Sequence, residues 1–174
     1  WMHGDEPDNA HTFAEYWNSD KERIKEAWPE MYASQGLATK DYRGYGPPVP
    51  PKWIIRDYLE IKKNDPSRPV IVNLGQGVAW QDYNGRGERT GHLEDYPEYI
   101  KGCDIVSYDI YPAVHSAAAI QGNLWYQALG VSRLTGWAAD KPAWNCLECT
   151  RIGNPSVKPT PHQIRAEAWM AIVH

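Results

Sequence analysis

The chain has 174 residues, of which 42% are apolar and 23% charged, enough for one soluble domain with a real hydrophobic core. Its net charge of −4, with Lys and Arg scattered, gives no reason to expect a nucleic-acid partner. No apolar run approaches the ~18 residues that would suggest a membrane span. Met2 to Glu6 reads as a strand end closed off by Pro7. Asp20 to Ala33 has helical spacing, with Ile24, Ala27, Trp28 and Met31 on one face. Pro29 interrupts it, so the pattern fits two short helices as well as one. Residues 34–51 read as a loop, punctuated by Gly44, Gly46 and four prolines around Tyr42 and Tyr45.

Pro51 is a plausible first helical residue, and Trp53, Ile54, Tyr58 and Ile61 then form a stripe through Lys63. Pro69 to Leu74 is an apolar run of the kind a parallel strand beneath helices shows. A loop from Gly75 to about Gly91 follows, containing Trp80 and Tyr83. The unit then repeats: helix His92 to Lys101, strand Asp104 to Tyr111, loop Pro112 to Ser116, helix Gly122 to Ala138, strand Lys141 to Glu148. Residues 149–160 form a Pro/Gly loop. Thr160-Pro161 then starts a final helix that runs past Trp169. The first and last residues read as cuts, so residues 1–174 are expected to be a single partial domain.

Alternating β and α segments argue for a parallel sheet covered by helices. Two architectures fit: an open doubly wound sheet, or part of a barrel. A whole barrel needs about 250 residues, so 174 hold only about half of one. Gly75-Gln76-Gly77 lacks the third glycine of a dinucleotide-binding turn, which weakens the nucleotide-binding version of the open sheet. Cys103, Cys146 and Cys149 cannot all pair, and the Cys146-x-x-Cys149 spacing has no second pair or His pair to complete a zinc site. No metal or cofactor is expected.

Active sites of parallel α/β folds lie at the C-terminal ends of the strands. That rule selects Asp5 and Glu6, Asn73 and Gln76, Asp109 and Tyr111, and Glu148. Nine Trp and eleven Tyr against one Phe favour surfaces that stack and hydrogen-bond at once, as sugars require, and Trp80 is placed to serve so. Glycoside hydrolysis needs two carboxyl groups, and Glu6 and Glu148 each stand at a strand end. The bland alternatives are a solvated loop-entry carboxylate for Glu148 and an acidic helix-start cluster for Asp5, Glu6 and Asp8. Alternation puts Ser107, Asp109 and Tyr111 on one face and Tyr108 on the other.

These segments, taken in order, resemble the large superfamily of barrel-fold retaining glycosidases that includes β-galactosidases, cellulases and β-mannanases. Asp5-Glu6-Pro7 is similar to its strand-four motif, and Asp104 to Pro112 resembles strand six. Lys141 to Glu148 resembles strand seven, and Ile164 to Ala171 the helix leading to strand eight. The resemblance implies the C-terminal half of a (β/α)8 TIM barrel, with Glu6 as acid/base and Glu148 as nucleophile. Asp5, Asn73, Gln76, Trp80, Asp109 and Tyr111 would bind an oligo- or polysaccharide, and an extracellular or periplasmic location is favoured. Asp5 stands where the family has Asn, which puts the contact to the sugar 2-hydroxyl in doubt. The remaining strands are missing, so a half barrel is expected to be inactive alone, and its exposed edges would favour self-association. The alternative is a non-catalytic carbohydrate-binding barrel protein.

Overall fold

The structure, a computed structural model, describes residues 1–11, 14, 19–34 and 46–174. Most of the loop expected over 34–51, with Tyr42, Gly44 and Tyr45, lies outside the described residues. The centre is a four-stranded sheet of β1 (Met2–Asp5), β2 (Ile71–Leu74), β3 (Ile105–Asp109) and β4 (Ala143–Cys146). All three pairings are parallel. The helices are α1 (Lys21–Ala27), α2 (Pro29–Ser34), α3 (Pro51–Asn64), α4 (Asp95–Ile100), α5 (Trp125–Ala138) and α6 (Pro161–Val173). The strands lie in the order β1-β2-β3-β4. A doubly wound sheet reverses its strand order at a switch point, and these four strands contain no reversal. The outer strands β1 and β4 each keep one edge unpaired among the described residues.

Local chemistry explains most element ends. Pro29 separates α1 from α2, and Asp20 caps α1 by accepting from the Arg23 N–H at 3.0 Å. Pro51 is the first residue of α3, and Lys62 and Lys63 sit in its last turn, where cations suit the helix dipole. Thr160 and Gln163 form a reciprocal capping box ahead of α6. Two helices are shorter than the sequence pattern suggests. Gly122 has φ +79°, so α5 cannot begin there. The His92 carbonyl accepts from the Arg86 guanidinium at 2.8 Å, which holds residues 92–94 outside α4.

The helix-facing side of the sheet is the main core. Val72, Leu74, Val106 and Tyr108 are fully buried there against Ile54, Tyr96, Val131 and Leu134. Tyr108 brings a polar group to that side, and its hydroxyl donates to the Gln127 carbonyl at 2.7 Å. Its ring fits only because α5 carries glycine opposite it: a Cβ at Gly130 would lie 2.4 Å from the ring. Gly130→Ala is therefore expected to cost about 1–3 kcal/mol by overpacking, measured by urea unfolding. Gly136→Ala, two turns on in the same helix with open space around it, should instead be neutral or stabilising by up to about 1 kcal/mol.

Candidate functional site

The opposite side of the sheet is polar. Register places Asn73, Ser107 and Trp144 in one row and Asp109 and Cys146 in the next. Asn73, only 5% exposed, ties three strands together. Its Nδ2 donates to Asp5 Oδ1 and to Asp109 Oδ2, both at 2.9 Å. Its Oδ1 accepts from the Ser107 hydroxyl at 2.6 Å. Two carboxylate acceptors and one hydroxyl donor fix the amide orientation. The structure thus brings together three of the expected ligands, Asp5, Asn73 and Asp109, and adds Cys146, whose Sγ lies 3.9 Å from Asn73 Oδ1. The expected alternation also holds: Tyr108 points to the helices, while Ser107 and Asp109 point to this face.

Glu6 is the first residue beyond β1. Its backbone N–H still bonds the Asn73 carbonyl at 2.8 Å, continuing the strand. Its φ of +47° then turns the chain sharply, a left-handed conformation that a non-glycine residue adopts at a cost. The side chain is partly buried and accepts from Asn9 Nδ2 at 2.6 Å. Burial first, and then the hydrogen bond to Asp109 and its charge, push the Glu6 carboxyl up to about 8. Asp8 and Asp5 add to the effect. Glu6 therefore carries a proton at neutral pH and donates it towards Asp109.

The turn after Glu6 is locked from beneath. Asp8 is fully buried and accepts from the Gly75 N–H at 2.8 Å and the Tyr96 hydroxyl at 3.1 Å. Burial pushes the Asp8 carboxyl up, and the Arg86 charge opposes this. Arg86 is itself 1% exposed, and its Nη2 pairs with Asp95 at 2.9 Å. Asp8 is thus part of a buried network rather than an acidic helix start.

Tyr111 extends the polar face, with its hydroxyl against Asp109; burial first, then the Asp109 charge, push the phenol up. Gln76 and Trp80 lie in the β2–α4 loop. The Trp80 ring meets the Tyr83 ring at 5.5 Å and the His115 ring edge-on at 5.6 Å. Gln76, Tyr111, His115, Ser116, Ile152 and Gly153 line a cavity of about 270 Å³ between the loops that follow β2, β3 and β4.

Glu148 stands apart from this set. It lies two residues beyond β4 and has no exposed surface, so it is not a solvated loop-entry carboxylate. Its Oε1 accepts from the Ala113 N–H at 2.5 Å and its Oε2 from the Val114 N–H at 3.0 Å. The carboxyl of Glu167 on α6, also fully buried, neighbours it. Burial first, and then the neighbouring Glu148 carboxylate, push Glu167 up to about 9. A raised carboxyl pKa means that the native state holds a proton the unfolded chain releases. The stability from Glu167 is full below pH about 4.5 and declines as pH rises towards about 9. Glu167→Gln is expected to flatten that decline between pH 5 and 9, as read by urea unfolding across the range.

Several of these groups escaped the sequence pattern: Asp8, Asn9, Arg86, His115 and Glu167. Only Asp8 and Asn9 had a local signal, since they follow the strand exit at Pro7. Compared with protein-family models, characterised proteins and solved structures, the chain finds no match.

Proposed function

We propose that this chain is part of a (β/α)8-barrel glycosidase that cleaves a β-glycosidic bond with retention, with Glu6 as acid/base and Glu148 as nucleophile. The observation that carries the reading is Glu6: a carboxyl at the C-terminal tip of a parallel strand, held protonated near neutral pH. A general acid for a sugar leaving group needs that property. Four parallel strands in sequential order suit half of a barrel. Asp109 touches Glu6 directly, too close to be the partner about 5–5.5 Å away across a scissile bond. Asp109, held in place by Asn73, instead orients Glu6 and offers acceptor oxygens to sugar hydroxyls. Glu148 is enclosed by the Ala113 and Val114 amides, so its attack requires the Pro112–Ser116 loop to lift.

A mechanism-based 2-deoxy-2-fluoroglycoside tests this directly. The expected result is a stable glycosyl ester on Glu148, found by peptide mass spectrometry. An ester on Asp109 reassigns the nucleophile; because a half barrel is expected to be inactive alone, the reagent is applied to the chain completed as a whole barrel, where absence of both ester and turnover removes the hydrolase reading. The enclosure of Glu148 favours the second reading, a non-catalytic carbohydrate-binding barrel. That reading predicts sugar binding that survives Glu148→Gln. Self-association through the open edges of β1 and β4 belongs to the same proposal. A sizing column that returns a monomer at high concentration removes it.

A further inference from the structure

Backbone N–H groups only donate hydrogen bonds, and this settles the proton arrangement of one wall of the site. The Ala117 N–H reaches His115 Nδ1 at 2.9 Å, so Nδ1 carries no proton. The ring is then neutral with its proton on Nε2, which lies 2.8 Å from Gln76 Oε1 and donates to it. Burial independently pulls His115 below its ordinary value and keeps it uncharged. With its oxygen accepting from His115, the Gln76 amide is held in one orientation, its N–H groups turned away from the imidazole. Those N–H groups are available to the cavity that Gln76 lines.

We infer that Gln76 is a specificity residue, fixed by His115 as a hydrogen-bond donor, that reads an acceptor oxygen of an uncharged sugar ring seated in the cavity between the loops after β2, β3 and β4. The inference rests on the glycosidase reading and names its substrate class. None of the six lining residues is a Lys or Arg that could pair with an acidic sugar. The Asp109 charge, next to Tyr111, would repel one. Ile152 and the Tyr111 ring offer apolar surface for a C–H face. The volume of about 270 Å³ is small for a ligand pocket and suits one ring rather than a chain. His115 acts through Gln76 and is a positioning residue.

The test is calorimetric titration of β-linked disaccharides of glucose, galactose, mannose and xylose, and of a glucuronic-acid disaccharide, into the Glu6→Gln protein. That background separates binding from turnover. At least one neutral disaccharide should bind and the glucuronide should not. Gln76→Glu, which turns a donor into an acceptor, should weaken the neutral sugar at least tenfold. His115→Ala should weaken it too, yet add nothing once Gln76 is Leu, a non-additivity that general structural damage would not produce. Should Gln76→Glu fail to fold, Gln76→Leu gives the same reading. Unchanged affinity in the Gln76 variants, or equal binding of the glucuronide, overturns the inference and leaves the hydrolase reading intact. If the chain binds none of the disaccharides and the completed barrel cleaves none, both fall together.

Discussion

With the chain completed as the proposed barrel glycosidase, Glu6→Gln is expected to lower turnover of an alkyl β-glycoside by about 10²–10⁴-fold, the range that loss of a positioned general acid removes. An activated aryl glycoside, whose leaving group needs no proton, should lose far less in its first step. That contrast distinguishes loss of proton donation from loss of the site. The same substitution should leave stability at pH 5 nearly unchanged, because native Glu6 is already neutral there. The sign at higher pH follows from the raised pKa. Between about pH 4.5 and 8 the folded protein holds a proton that the unfolded chain gives up, so the stability from this group falls as pH rises through that window. Gln has no proton to surrender, so the variant should decline less between pH 5 and 8 by urea unfolding. Equal losses on both glycosides, or a variant that declines as steeply as the parent, would remove Glu6 from the acid role.

Arg86→Met is expected to cost about 3–5 kcal/mol of stability, the largest effect among the buried groups. Arg86 is almost wholly enclosed, and its guanidinium also lies 4.7 Å from the centre of the Tyr96 ring. Met fills much of the volume but leaves Asp8 buried without its cation. Asp95 keeps the fork of Arg89, which also bonds it, so the deficit falls mainly on Asp8. Since Asp8 holds the Gly75 N–H, the turn that carries Glu6 should loosen as well. Adding Asp8→Asn to Arg86→Met should recover part of the loss, because the amide needs no counter-charge. A single-variant loss below about 1 kcal/mol, or no recovery in the double variant, would show that Arg86 does not neutralise Asp8 in the buried network.

Much of this architecture was legible locally. Pro51, Thr160 and Pro161 mark helix starts that the structure keeps. The alternation of Ser107, Tyr108 and Asp109 assigns each to the correct face of the sheet. The strand-end rule brought Asp5, Glu6, Asn73 and Asp109 into one cluster without any knowledge of their spacing. What stayed hidden depends on partners far along the chain. The Glu148 carboxylate is defined by backbone amides 34 and 35 residues away, which no pattern around it announces. Glu167 sits in the string Arg-Ala-Glu-Ala on α6, where a glutamate ordinarily faces water, yet it is fully buried. The Asp8 to Tyr96 bond spans 88 residues. The tautomer of His115 depends on one amide hydrogen at Ala117, which is invisible to residue type.

The left-handed backbone at Glu6 has a consequence for evolution in the laboratory. Glycine or asparagine adopts that conformation more cheaply than glutamate, by about 1 kcal/mol. A mutant library screened for heat resistance alone should therefore enrich Gly or Asn at position 6 and lose the proposed acid in doing so. A library screened for turnover should hold Glu there against the same pressure. The two pools, sequenced side by side, would diverge at position 6, and the divergence would record how much conformational comfort the chain gives up to keep an acid at that corner.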